Sequence, residues 1–175
     1  RAGDYKQVTS VLVARDGREA LEAIRRETLA RRPAIEPDIA SARAGFEAAS
    51  AAMSPAGDVV FSERHFGFGN AVTSQAPGAG GARQILYLHG GAYVLGSARA
   101  YRHVTGELGR HAGASVFAPD YRLAPEHPYP TAVLDGDDSL QPLRTQARAQ
   151  GLDPARMAVG GDSAGGTLSA VMALM

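Results

Sequence analysis

The stretch Met157-Ala158-Val159-Gly160-Gly161-Asp162-Ser163-Ala164-Gly165-Gly166-Thr167-Leu168 decides how the chain is read. Its first three residues are a short apolar run, as a buried strand requires. Gly160 and Gly161 open a turn too tight for a Cβ, and Leu168-Ser169-Ala170-Val171-Met172 continues as an apolar helix. Gly161-Asp162-Ser163-Ala164-Gly165 spells G-x-S-x-G, a strained strand-to-helix turn. Such a turn lifts the serine hydroxyl above a sheet, at the positive end of the following helix. Alone, the same pentapeptide is equally well a glycine-rich turn that joins a strand to a helix. The rest of the chain has to decide.

Working outward from it, strand and helix alternate from residue 84 onward. Ile85-Leu86-Tyr87-Leu88 is a continuous apolar run, a strand buried on both faces. Ser97 can cap a helix running to about Arg110, with Tyr101, Val104, Leu108 and His111 inward. Ala114 to Ala118 is a further buried strand. Thr131 to Gln150 is the next crossover helix, and Pro142 within it predicts a kink or a restart near Ser139, because an internal proline costs ~3 kcal/mol. Such alternation implies a parallel sheet with helices on both faces. Between Val59 and Gln75 the period is that of strands, a hairpin around Gly67-Phe68-Gly69, and Pro77 to Gly81 is a surface loop. The first part of the chain is helical: Asp16 to Arg32, then a helix from Pro37 whose Ile39, Ala42, Phe46, Ala49 and Met53 form one apolar stripe. A boundary near residue 55 separates this segment from the sheet.

Composition narrows the function classes. The 175 residues are 45% hydrophobic and 21% charged, ordinary for a globular domain. Lys+Arg and Asp+Glu are 18 each, so there is no basic field for nucleic acid or an anionic membrane surface. Cysteine is absent, which removes disulfides, thiolate metal sites and a cysteine nucleophile. No apolar run approaches the ~18 residues that span a bilayer, and no signal-peptide pattern opens the chain. The reading is a soluble, cytoplasmic protein.

Acyl transfer needs a nucleophile, a base and donors aimed at the developing oxyanion. Leu88 to Ser97, LHGGAYVLGS, follows a buried strand, and its adjacent glycines leave approachable N–H groups. Gly90 and Gly91, with the N–H of Ala164, would form a three-donor oxyanion hole around a substrate held by Ser163. An ordinary tight turn explains HGGA alone, but not jointly with a serine turn after a second strand.

Three blocks carry a specific resemblance: HGGAYVLGS at 89–97, DYRLAPEHPYP at 120–130 and GDSAGG at 161–166. Together and in this order they resemble the hormone-sensitive-lipase-like family of α/β-hydrolases, GDSAG subgroup. Ala92 stands where that family usually has a third glycine. The resemblance implies the α/β-hydrolase fold: a mostly parallel sheet with helices on both faces, residues 1–55 as an N-terminal helical cap segment and 56–175 as the first part of the core. It implies a serine carboxylesterase acting on a small-molecule ester of short to medium acyl chain through an acyl-enzyme on Ser163, with no metal or organic cofactor. His89 is read as structural, fixing the oxyanion loop through local hydrogen bonds, and Asp162 as support for the site. Asp120, Arg122 and Glu126 are read as a buried ion network, while His65, His103, His111 and His127 lack ligand spacing. Ala124-Pro125 and Tyr129-Pro130 are expected to be cis.

In this fold the triad runs serine, acid, histidine along the chain. Ala164 to Met175 contains neither partner. The expectation is therefore that the last strands of the sheet, the acid and the histidine are missing from this chain, being cleaved off or supplied by a second polypeptide. The strand at Met157–Gly160 is then left at an edge. Two other readings use the same residues: a receptor-like ligand-binding protein of this fold without a catalytic histidine, and a transacylase or amidase.

Overall fold

A computed structural model describes residues 38–175 apart from 56, 80–82, 150, 152, 155 and 156, together with Glu22 and Arg26. Of the helix expected over Asp16 to Arg32 only those two positions are described, both helical; the rest lies outside the described residues. Asp38–Met175 form one compact unit. Its elements are α1 (Ile39–Ala51), β1 (Val60–Phe66), β2 (Gly69–Gln75), β3 (Gln84–Leu88), α2 (Arg102–Ala112), β4 (Ser115–Pro119), α3 (Thr131–Ala149), β5 (Met157–Gly161) and α4 (Ser163–Leu174).

The strands form one sheet in the order β1-β2-β4-β3-β5. β3 pairs in parallel with β4 and β5, in the register Leu86↔Phe117 and Leu86↔Val159. The β1–β2 hairpin joins antiparallel through β2 and β4, so the sheet is mixed, and its parallel part carries the 89–97 and 161–166 blocks. β5 lies at the edge among the described strands, as expected. Side chains alternate between faces along a strand. Ala71, Leu86, Leu88 and Phe117 accordingly share one buried cluster with Leu140, Leu143, Leu168 and Met172 of α3 and α4. Their neighbours Val72 and Ala118 meet Ala98 in another cluster, on the side where α2 packs. Leu86 and Leu88 are wholly buried, each worth about 1.5–3 kcal/mol of apolar transfer.

Three helix expectations change. α3 runs from Thr131 to Ala149 without a restart, Pro142 included. The apolar positions Leu140, Leu143 and Ala147 are buried on both sides of that proline, and this packing outweighs the lost backbone bond. α2 starts at Arg102; Ser97 instead caps the preceding turn by accepting the Ala100 N–H at 3.0 Å. Its buried line is the small residues Thr105, Gly106 and Gly109, with Tyr101, Val104 and Leu108 only half-buried and His111 exposed. α2 lies too close to the sheet there for larger side chains: a Cβ on Gly109 would stand 2.9 Å from the Ala114 carbonyl. In α1, capped by Asp38 through the Ser41 N–H at 2.9 Å, only Ser50 is buried. Ile39 and Met53 are exposed, so the apolar stripe is not a core face.

Candidate active site

The elbow is built by contact between β3 and α4. A Cβ on Gly161 or on Gly165 would run into the Leu88 carbonyl, so only glycine lets β5 and the helix start approach the end of β3. Ser163, between them, is held at φ 49°, a left-handed conformation that costs a non-glycine residue about 1–3 kcal/mol. Asp162 before it is extended (φ −114°, ψ 151°) and forms the N-cap position of α4. Buried Ala164, Gly165, Leu168 and Met172 anchor the helix, while Ser163 itself is exposed. The hydroxyl thus stands out of the surface at the positive end of the α4 dipole. The Ala164 N–H, in the first turn, has no acceptor within the helix.

Beside the elbow runs the loop His89–Ser97. Gly91 takes φ 122°, and a Cβ there would collide with the Leu95 carbonyl. The Gly91 carbonyl accepts from the N–H groups of Val94 (3.0 Å) and Leu95 (2.8 Å), which turns the loop back on itself. Ala92 and Tyr93 follow at φ 54° and 63°. The Gly90 N–H does not fit the donor role expected of it. It donates to Asp162 Oδ1 at 2.8 Å, and a donor committed to a carboxylate is unavailable to an oxyanion. Gly91 and Ala92 present N–H groups with no bond to the described residues.

Asp162 is the joint between loop and elbow. Besides the Gly90 N–H it accepts the hydroxyls of Tyr87 (3.1 Å, Oδ1) and Tyr101 (2.9 Å, Oδ2). Burial, then the Asp162 carboxylate, pushes the Tyr101 phenol up to about 12, so both phenols remain donors near neutrality. Neither tyrosine was marked by the sequence patterns; each sits inside an element that reads as ordinary core. His89 is 1% exposed, donates from Nδ1 to the Gly90 carbonyl at 2.8 Å and stacks on Tyr121 at 4.3 Å between centroids. Tyr121 in turn donates its hydroxyl to the His89 carbonyl at 2.6 Å.

Asp120, Arg122 and Glu126 do not form one network. Each reaches from the 120–130 loop to a different part of the chain. Asp120 accepts the Ala98 N–H at 2.5 Å, and burial raises its pKa. Arg122 forks onto fully buried Asp135 of α3 at 2.7–3.2 Å, a partner that sequence reasoning passed over because Asp137 and Asp138 follow it closely and nothing local singles it out. Glu126 pairs with Arg43 of α1 at 2.8 Å and is half exposed; those hydrogen bonds hold its carboxyl down at about 2. Ala124-Pro125 and Tyr129-Pro130 are both cis, as expected. His65, His103 and His111 bond locally through Nδ1 to Asn70, Ala100 and Glu107, and none of the described histidines bonds to Ser163. Among the described residues no group of three or more acids and histidines could hold a metal, and no helix is long and apolar enough to cross a membrane.

The family described as "alpha/beta hydrolase fold" matches residues 85–175, just over half of the chain and the part holding both loop and elbow. The chain belongs to the α/β-hydrolase family. An ethyl acetate hydrolase of Pseudomonas putida is 46% identical over 89 residues, 51% of this chain and 28% of that protein. The crystal structure of EstE5 soaked with p-nitrophenyl butyrate superposes with a TM-score of 0.76 at 36% identity, covering 89% of this chain and 50% of that one. An esterase from the bacterial hormone-sensitive lipase family gives a TM-score of 0.69 at 36% identity, with 82% of this chain and 46% of that one covered. This α/β-hydrolase chain thus spans about half the length of the solved structures, and less of the sequence relative.

An apolar cavity of about 420 Å³ opens beside the site of this α/β-hydrolase. It extends from Ala92 and Tyr93 of the loop to Thr167, Leu168 and Val171, the face of α4 one turn beyond Ser163, with His127 on its wall. The electrostatics of the loop yield a stability prediction. Burial, the dominant cause, pushes the His89 pKa below its ordinary value of 6.5, which keeps the ring neutral in the fold. The unfolded chain binds a proton near that pH that the folded state refuses, so stability is lost as pH falls through the unfolded value. Urea midpoints at about pH 7.5 and about pH 5.5 should drop more in the wild type than in His89→Gln. An equal drop in both proteins would remove the ring from the account.

Proposed function

We propose that the chain is the nucleophile-bearing part of a serine carboxylesterase for esters of short to medium acyl chain. One observation carries this reading: exposed Ser163 follows Asp162, whose carboxylate ties down the Gly90 N–H at the end of β3, and the next two N–H groups of that loop, Gly91 and Ala92, have no bond to the described residues. In the first step Ser163 Oγ attacks the ester carbonyl carbon while its proton passes to a base, and the carbonyl oxygen becomes an oxyanion held by the N–H groups of Gly91, Ala92 and Ala164. Collapse of the tetrahedral species expels the alcohol, which takes the proton from the protonated base, and leaves an acyl group on Ser163. Water, deprotonated by the same base, then releases the acid. Loss of one oxyanion donor typically costs ~2.7–4 kcal/mol of transition-state stabilisation. The base is a histidine oriented by an acid, supplied from outside residues 1–175.

Support for the acyl range comes from the names of the relatives, an ethyl acetate hydrolase and an esterase soaked with p-nitrophenyl butyrate, and from the modest apolar cavity beside Thr167. Transacylation and amide cleavage would use the same acyl-enzyme with another acceptor or leaving group. The receptor-like reading rests on the lack of any described histidine bonded to Ser163. The test compares two preparations on p-nitrophenyl acetate and butyrate: the natural protein, and residues 1–175 purified alone. The natural protein should turn both esters over, and residues 1–175 should be silent, because a serine without a base attacks poorly at neutral pH. A natural protein that binds these esters without turnover would favour the receptor-like reading. Turnover by residues 1–175 would overturn the external base.

A further inference from the structure

Arg43 lies on α1, outside all three sequence blocks, yet its guanidinium makes four hydrogen bonds to two of them. Nε donates to the Val94 carbonyl in the glycine loop at 2.8 Å. Nη2 donates to the Ala124 carbonyl at 3.0 Å, and Nη1 and Nη2 each reach a different Glu126 oxygen at 2.8 Å. The two loops are joined directly as well, since the Ala124 N–H donates to the Tyr93 carbonyl at 2.8 Å. Val94 and Ala124 therefore bracket Tyr93 from both sides. Ala92 and Tyr93 are the two non-glycine residues of the loop held in the left-handed region, a conformation that persists there only where the surroundings enforce it.

We propose that Arg43 is a positioning residue: from α1 it clamps the Val94 and Ala124 carbonyls and so holds the strained Ala92–Tyr93 backbone in its donor-presenting form. This inference rests on the oxyanion role given above to Gly91 and Ala92. The planar fork of arginine is what the site demands. A lysine at 43 can still meet Glu126 as a point charge, but it cannot bond both carbonyls and the carboxylate together. The ion pair by itself is partly solvent-exposed, Glu126 by about half, and contributes little. The two carbonyl bonds carry the effect, and helix α1 thereby acts on the site without touching the substrate.

The test uses the natural protein with Arg43→Ala, Arg43→Lys and Glu126→Gln, and reads kcat and KM separately beside amide hydrogen exchange. Arg43→Ala and Arg43→Lys should each lower kcat by about tenfold or more, with KM changed less than about twofold, since misplaced donors weaken the transition state and not ground-state binding. Glu126→Gln leaves both carbonyl bonds in place and should lose less than about threefold. The amides of Val94 and Leu95 should exchange about tenfold faster in both Arg43 variants while those of β3 and β4 stay protected. Should Arg43→Ala fail to fold, Arg43→Lys carries the comparison. Wild-type kcat in Arg43→Lys, a change confined to KM, or unchanged exchange at Val94 and Leu95 would each overturn the proposal. Absence of turnover in the wild type would instead refute the esterase reading, and the exchange result would still decide the clamp.

Discussion

Alanine at position 163 is expected to lower ester hydrolysis by about 10⁴-fold or more while the protein stays folded. Both halves of the expectation come from the elbow. The Ser163 hydroxyl is exposed and makes no bond to the described residues, so its removal deletes no native contact. Alanine inherits the same left-handed strain at φ 49°, and the flanking glycines still admit the Leu88 carbonyl. What disappears is the atom proposed to form the acyl bond. Some catalysis survives when a nucleophile is removed from such a site, because the oxyanion donors and substrate binding remain. A variant that kept a tenth of wild-type kcat/KM, with an unchanged circular dichroism spectrum, would place the nucleophile elsewhere.

The second large effect is expected at Asp162. Its carboxylate gathers the Gly90 N–H, the Tyr87 hydroxyl and the Tyr101 hydroxyl, so one side chain fixes the glycine loop to the residue preceding Ser163. Asp162→Ala leaves three donors without an acceptor and frees the loop from the elbow. A displacement of about 1 Å at a reacting centre can cost about 10²-fold, and a kcat loss of that size is expected here. Asp162→Asn should lose far less, about tenfold or under, because its carboxamide oxygen can still accept from Gly90 and Tyr87. Steady-state kinetics on a short-chain p-nitrophenyl ester compare the two. Equal losses in both variants would mean that charge at position 162, and not its hydrogen bonding, matters.

Most of what positions the site was legible because it is local. Continuous apolar runs gave β3, β4 and β5, and glycines at 161 and 165 gave the elbow, since each signal lies within a few residues of the feature it specifies. The pairings that complete the site are not local. Gly90 and Asp162 are 72 positions apart, and Arg43 and Glu126 are 83 apart. Nothing near Gly90 indicates that its N–H is already taken. The same holds for Arg122, whose acidic partner Asp135 lies on the next helix and not among the charges of its own loop. α2 failed for a different reason: a helix pressed close to a sheet buries its smallest residues, and a hydrophobic stripe then points to the wrong face. The apolar stripe of α1 is likewise half open, with Phe46 reaching only as far as a stacking contact on Tyr101 at 6.1 Å.

The central claim is that Ser163 is an activated nucleophile on an elbow shared with the glycine loop. Covalent labelling of the natural protein with a fluorophosphonate, followed by peptide mass mapping, tests it most directly, because only an activated serine attacks the phosphorus and expels fluoride. The account predicts one adduct per chain, on the peptide containing Ser163, and none in Ser163→Ala. An adduct on any other serine, or labelling that persists in Ser163→Ala, would contradict it.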